Sequence, residues 1–201
     1  EEKKISLDNI IGIMPFLRLK RTLKRKKLGD IAQIFKALDD DGNGFVDLGE
    51  FIHMCDLAKS RDLSTRLQIF YKVANSGKTD SLDASGAQLL SFIAGGKDIT
   101  GMSIDDFVKE FKDTTDPELL QELGLTPPNY ICIETLTFST SFYPYVADDA
   151  LDVLLVKIND SEGIPTTQLS LYGKDVKLVN EKTMKENNVS AGDTLLQILS
   201  L

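Results

Sequence analysis

Between Asp39 and Glu50 the chain reads DDDGNGFVDLGE, and its oxygen-bearing residues recur at places that one turn of backbone can aim at a single point. Asp39, Asp41 and Asn43 stand at positions 1, 3 and 5 of a twelve-residue loop and offer side-chain oxygens. Phe45 at position 7 offers its backbone carbonyl, Asp47 at position 9 acts through a water, and Glu50 at position 12 closes the shell with both carboxylate oxygens. Gly44 at position 6 permits the sharp turn between them. An all-oxygen set of this kind suits a hard divalent cation, and its spacing points to one calcium ion, Ca2+. Helices must hold the two ends of such a loop. The stripe Ile31, Ile34, Phe35, Leu38 predicts one before it, and Phe51, Ile52, Met54, Cys55 begin another after it.

The loop with its flanking stripes resembles the EF-hand family. An echo follows 36 residues later, where Tyr71 to Asn75 repeats the pattern of Phe35 to Asp39, and Leu82-Asp83 repeats Val46-Asp47. This second loop, Asn75 to Gly86, has Gly77 at position 3, Asp80 where the turn glycine belongs and Gly86 where the closing glutamate belongs. It is expected to hold no calcium and to brace the first loop, with a short strand pairing through Val46 and Leu82. A third echo, Met102 to Phe107 continuing through Val108 and Phe111, reads as the end of one more loop and its exit helix, half a hand. Gly95-Gly96-Lys97 before it lacks ligands. One intact and two decayed hands resemble the calcineurin B and neuronal calcium sensor branch of the family, over Leu28 to Lys112.

Charge is distributed unevenly. The 201 residues carry a net charge of −8, yet Arg18, Lys20, Arg21, Lys24, Arg25, Lys26 and Lys27 place seven cations within ten residues, leaving 16 cations against 31 anions elsewhere. Leu17, Leu19, Leu23 and Leu28 interleave with them as on a basic amphipathic helix, with Pro15 in its first turn. Two fates follow for this helix: docking against the chain's own acidic remainder, or contact with an acidic protein surface or anionic lipid. The absence of interleaved aromatic residues disfavours nucleic acid.

Beyond Lys112 the composition shifts. Thr114-Thr115, Asp116-Pro117 and Thr126-Pro127-Pro128 bracket Leu119 to Leu125, which reads as a linker over 114–129 with one helical turn. Alternation in Ile131, Ile133, Thr135 and again from Phe138 to Tyr145 predicts a hairpin. Asp148 is placed to cap a helix whose Leu151, Leu154, Leu155 and Ile158 share one face. From Lys157 to Pro165 the residues KINDSEGIP resemble the helix end and following turn of ubiquitin, and Leu169, Leu171, Gly173-Lys174, Thr183, Val189 and Thr194 to Leu201 continue the likeness. The resemblance implies a β-grasp fold over about 70 residues. Two departures bear on function: Leu201 ends the sequence without a Gly-Gly, which argues against conjugation, and Ser170 stands where ubiquitin carries an isoleucine of its receptor-binding patch.

The fold expected is therefore multi-domain, α + α/β: a basic segment over 1–28, an all-α EF-hand domain over 29–113, the linker, and an α+β ubiquitin-like domain over 130–201. No apolar run reaches the roughly 18 residues of a membrane helix; Ile10 to Leu17 is short and broken by Gly12 and Pro15. No secretory leader is expected, and the two cysteines, Cys55 and Cys132, fit buried thiols in a reducing compartment. His53 is the one histidine and has no nucleophile constellation around it, and Gly95-Gly96-Lys97 lacks phosphate-loop spacing, so an enzyme is not expected. The function expected is a calcium-binding adaptor or structural subunit of a larger protein assembly, cytoplasmic, with cytoskeletal, microtubule or ciliary structures as candidates. The alternative is a calcium-gated adaptor of the ubiquitin/proteasome system, and the departure at Ser170 counts against it.

Overall fold

The computed structural model describes residues 7–28, 30–77 and 79–200; the side chains of residues 7–13 and of Ile31 lie outside that description, as do the expectations placed on them. The chain divides into two units, Glu1–Leu125 and Thr126–Leu201.

The first unit is helical, with α1 (Leu7–Arg25), α2 (Ile31–Leu38), α3 (Leu48–Lys59), α4 (Leu63–Ala74), α5 (Ala84–Leu89), α6 (Ser91–Ala94), α7 (Ile104–Phe111) and α8 (Pro117–Glu122). Local chemistry opens most of them. Asp30, Asp47, Asp62, Asp83, Ser103 and Asp116 each stand at an N-cap and accept a hydrogen bond from a backbone N–H of the first turn, each cap contributing about 1 kcal/mol. The core gathers one face of each helix: Leu19 and Leu23 of α1, Ile34 and Leu38 of α2, Leu67 and Phe70 of α4, and Phe107 of α7, all 4% exposed or less. Phe107 stacks at an angle between Tyr71 and Phe111, with ring centroids 5.5 and 5.0 Å away.

Four features of this unit differ from the sequence expectation. Helix α1 begins at Leu7, so Pro15 lies in its interior rather than its first turn, where it cannot donate to the preceding turn. The segment expected as linker over 114–129 belongs largely to the first unit: α8 occupies it, and Leu119, Leu120, Leu123 and Leu125 are buried in that core. Proline and threonine signal a turn here but say nothing of the apolar side chains between them, which the core takes up. Among the described residues the second loop makes no backbone hydrogen bond to the first. The Leu82 N–H donates to the Met102 carbonyl at 3.0 Å, and the Gly101 N–H donates to the Leu82 carbonyl at 2.8 Å, so residues 75–86 are joined to the third loop. That third loop is flanked by helices on both sides, because α5 and α6, broken at Leu90, serve the second loop as exit and the third as entrance.

In the second unit five strands form one mixed sheet: β1 (Tyr130–Thr135), β2 (Thr140–Pro144), β3 (Leu169–Gly173), β4 (Val176–Lys177) and β5 (Thr194–Leu199). Their order is β2-β1-β5-β3-β4. The β1–β2 hairpin is antiparallel with Ile133 opposite Ser141, β1 and β5 run parallel with Ile133 opposite Leu195, and β3 is antiparallel to both β5 and β4. Helix α9 (Leu151–Glu162) buries Leu151, Leu154, Leu155 and Ile158 with Ile131, Ile133, Leu169, Leu171 and Leu195 of the sheet, each such side chain stabilising the fold by about 1.5–3 kcal/mol. Asp148 does not cap this helix. Its N-cap is Ala150, and the Lys182 carbonyl accepts the Leu151 N–H at 3.0 Å, so a neighbouring turn of backbone closes the helix start where a side chain was expected. Among the described residues no helix is long and apolar enough to cross a membrane.

Candidate metal centre

Residues 39–47 leave α2 and enter α3 through a tight turn whose bonds come from its own short side chains. Asp39 is the C-cap of α2 and is only 9% exposed, a costly place for a carboxylate. Its Oδ2 accepts the Gly44 N–H at 3.1 Å across the loop, and Gly44 adopts φ +85°, a left-handed conformation that favours glycine. Asp41 Oδ1 accepts the Asn43 N–H at 3.0 Å, and Asn43 Oδ1 accepts the Phe45 N–H at 2.8 Å. These two nested turns wind the chain so that alternate residues face inward.

Glu50 closes the arrangement from the first turn of α3. Its Oε1 accepts the Asp40 N–H at 2.8 Å and the Asp41 N–H at 3.4 Å, while its Oε2 accepts the Asp47 N–H at 3.0 Å. Asp47 returns the bond, with Oδ1 accepting the Glu50 N–H at 2.9 Å. The reciprocal pair is a capping box. One carboxylate oxygen from each of Asp39, Asp41 and Glu50 lies within 4.8 Å of the others.

The structure thus brings together three of the expected ligands, Asp39, Asp41 and Glu50. Asn43 spends its Oδ1 on the Phe45 N–H and donates its Nδ2 to Asp41 Oδ2 at 2.8 Å. Asp47 lies outside the carboxylate cluster and caps α3, and Phe45 is 78% exposed. The donor set fits a hard divalent cation: three carboxylates close enough to share one ion, all oxygen, on a rigid turn. Without a cation such a cluster is held against its own repulsion by the backbone N–H groups named above.

Sequence reasoning missed one participant. Lys72 of α4 places its Nζ 2.9 Å from Asp40 Oδ1, tying the second loop's entering helix to the first loop; 32 residues separate them, and no local pattern signals the pair. Because Lys72 adds positive charge beside the carboxylates, Lys72→Gln is expected to tighten divalent-cation binding by about two- to threefold at low salt and less at high salt. Competition titrations at two ionic strengths measure this.

Gly86, which the sequence places at the closing position of the second loop, is tightly packed in a way its spacing could not show. A Cβ there would meet Leu82 Cδ2 at 2.9 Å and the Ala74 carbonyl oxygen at 3.1 Å. A side chain at this closing position would therefore displace Leu82 and press on the Ala74 carbonyl. The polar groups of the second loop pair with one another: Asn75 Nδ2 donates to the Thr79 carbonyl at 2.6 Å, and the Thr79 hydroxyl has Asn75 Oδ1 and the Ser81 carbonyl as alternative acceptors for its one hydrogen. Gly86→Glu is expected to lower stability by about 1–3 kcal/mol and to add no cation site, as urea denaturation and a calcium titration would read.

His53 is exposed on α3, and Cys55 on the same helix is buried, with burial pushing its thiol up from its ordinary value. Of the seven basic-segment cations, Arg18, Arg21, Lys24, Arg25 and Lys27 are exposed and Lys20 half-buried. Lys26 sits 4.4 Å above the Phe92 ring and 2.5 Å from Glu122 of α8. Arg66 of α4 is buried without a carboxylate; it donates to the Ser60 carbonyl at 3.1 Å, and desolvation lowers its pKa to about 10. Comparison with protein-family models and with curated proteins finds no match for this chain.

Proposed function

We propose that this chain is a non-enzymatic calcium-binding adaptor: a helical EF-hand domain with one working site, followed by a ubiquitin-like docking domain. The observation that carries the reading is the convergence of Asp39, Asp41 and Glu50 within one short turn between two helices. Asp39, Asp41, Asn43, Phe45, Asp47 and Glu50 are the proposed ligands, and the ion supplies charge neutralisation that locks the angle between α2 and α3. The strand order β2-β1-β5-β3-β4, with a parallel central pair and one helix across the sheet, supports the β-grasp reading of the second unit.

Docking is the function that two such modules support, with a protein assembly as partner. The Ser170 side chain is buried in β3, which gives a ubiquitin receptor little to grip and weighs against a role in ubiquitin handling. Calorimetric titration of the intact chain with calcium, followed by near-UV circular dichroism, tests the proposal. Stoichiometric uptake of one ion is expected. Absence of uptake up to millimolar calcium, the weak end of such sites, removes the calcium reading.

A further inference from the structure

The C-terminal half of α1 and the turn after it concentrate positive charge that their surroundings leave unanswered. Lys24, Arg25 and Lys27 are exposed and Lys20 is half-buried. Among the described residues no carboxylate pairs with any of these four; Lys26, between them, is the cation that reaches Glu122. Like charges three and four residues apart on a helix repel, as Lys20 and Lys24 do, and Arg21 and Arg25. The last turn of a helix favours a cation or two, but here Lys24, Arg25, Lys26 and Lys27 follow one another. Outside the ten-residue cluster the chain carries 31 anions against 16 cations. Cations held together against their own repulsion, on a chain otherwise acidic, are a local conflict that a bound anion resolves.

The opposite face of the helix decides which anion fits. Leu19, Leu23 and Leu28 are 2, 2 and 0% exposed and belong to the core of the first unit. A helix lying on a lipid surface turns such leucines towards the acyl chains, and these are already used. A membrane or a nucleic-acid duplex is also a wide polyanion, which the acidic remainder of the chain repels. Residues 18–28 include no aromatic side chain on which a base could stack. A short acidic segment of a protein meets none of these obstacles. Residues 20–27 extend about 10 Å along the helix axis, the length of roughly three residues of extended chain.

We propose that residues 20–27 form a docking surface for an acidic segment of a partner protein, a run of three or more Asp or Glu laid along the helix, with Lys24, Arg25 and Lys27 as its principal contacts. Because the leucines of α1 are fixed in the core, the cations project from a backbone already ordered, and binding costs them only side-chain freedom. Each contact is an exposed ion pair that contributes little alone, so the complex is weak and screened by salt. The surface names a partner for the docking role proposed above and does not involve the calcium site.

Fluorescence anisotropy of a labelled octaglutamate peptide, titrated with the intact chain at about 50 mM and about 300 mM salt, tests the proposal. Each titration is repeated in calcium and in chelator, and calcium uptake is recorded on the same protein. Binding is expected at low salt and is expected to weaken at high salt. The triple substitution Lys24→Gln, Arg25→Gln and Lys27→Gln is expected to weaken it about tenfold. A control triple substitution, Lys109→Gln, Lys177→Gln and Lys185→Gln, removes the same charge from exposed positions elsewhere and is expected to change affinity by less than about twofold. Circular dichroism verifies that both variants are folded. Absence of binding at low salt overturns the proposal, and so does equal weakening by the two triple substitutions. Tighter binding to phosphatidylserine vesicles or to a DNA duplex than to the peptide overturns the choice of an acidic protein segment. Peptide binding that persists where calcium uptake fails supports the surface and counts against the calcium reading alone.

Discussion

Glu50→Gln will reduce calcium affinity by a factor on the order of 100 while leaving the protein folded. In the proposed site the closing carboxylate would place a full charge about 2.4 Å from a bound ion, and even at the dielectric constant of water the attraction lost to a divalent cation would be about 3 kcal/mol. The same side chain has a structural task, because its two oxygens accept the Asp40, Asp41 and Asp47 N–H groups. Glutamine retains one acceptor oxygen, so the ion-free protein should lose only about 1 kcal/mol. Calorimetry and urea denaturation separate the two effects. Unchanged calcium affinity in the variant would place the ion elsewhere. A large loss of stability without calcium would make Glu50 chiefly a cap for α3.

The largest stability effect is expected at Phe107. It is 0% exposed and lies between Tyr71 and Phe111, where α7 meets α4. Phe107→Ala removes the ring and leaves a cavity that two aromatic neighbours cannot collapse to fill, at about 3–5 kcal/mol. Tyr71 is further tied by its hydroxyl, which donates to the Met102 carbonyl at 2.8 Å, so the loosened ring also frees the pairing of the second and third loops. Helical circular dichroism should show the first unit melting early. Amide signals of β1, β3 and β5 should keep their dispersion, because the second unit has a core of its own. A loss below about 1 kcal/mol would mean that α7 packs less tightly than its burial implies.

Local chemistry was legible in the sequence, and long-range pairing was not. The convergence of Asp39, Asp41 and Glu50, the hairpin through Ile131 and Ile133, and the buried face of Leu151, Leu154, Leu155 and Ile158 all follow from periods of a few residues. Periodicity also sorted α1, whose Leu19 and Leu23 are buried and whose Arg18, Arg21, Lys24 and Arg25 are exposed. It could not say which loop meets which. Leu82 resembles Val46 and Met102 equally as an apolar residue inside an acidic turn, and the choice of Met102 is made by how α4 and α7 pack. Leu119 to Leu125 were misjudged for a similar reason: Pro117 and the threonines mark a turn, while the burial of the leucines depends on elements nearly a hundred residues earlier. The Lys72–Asp40 pair and the closed space at Gly86 likewise exist only once α4 is placed.

That last distance has a consequence for how the chain is made. Helix α1 is joined to the end of its unit, with Lys26 paired to Glu122 and Gly124, at φ +74°, so close to Thr22 that an added Cβ would stand 3.0 Å from its Oγ1. During synthesis α1 emerges before the rest of its unit, and the segment that closes over it emerges about 100 residues later, after roughly 5–20 seconds. Until then Leu19 and Leu23 have only part of their cover, and closure must bring together positions far apart in the chain, which slows folding. The exposed cations of α1, Arg18, Arg21, Lys24 and Arg25, would keep that waiting helix solvated and oppose its aggregation during synthesis.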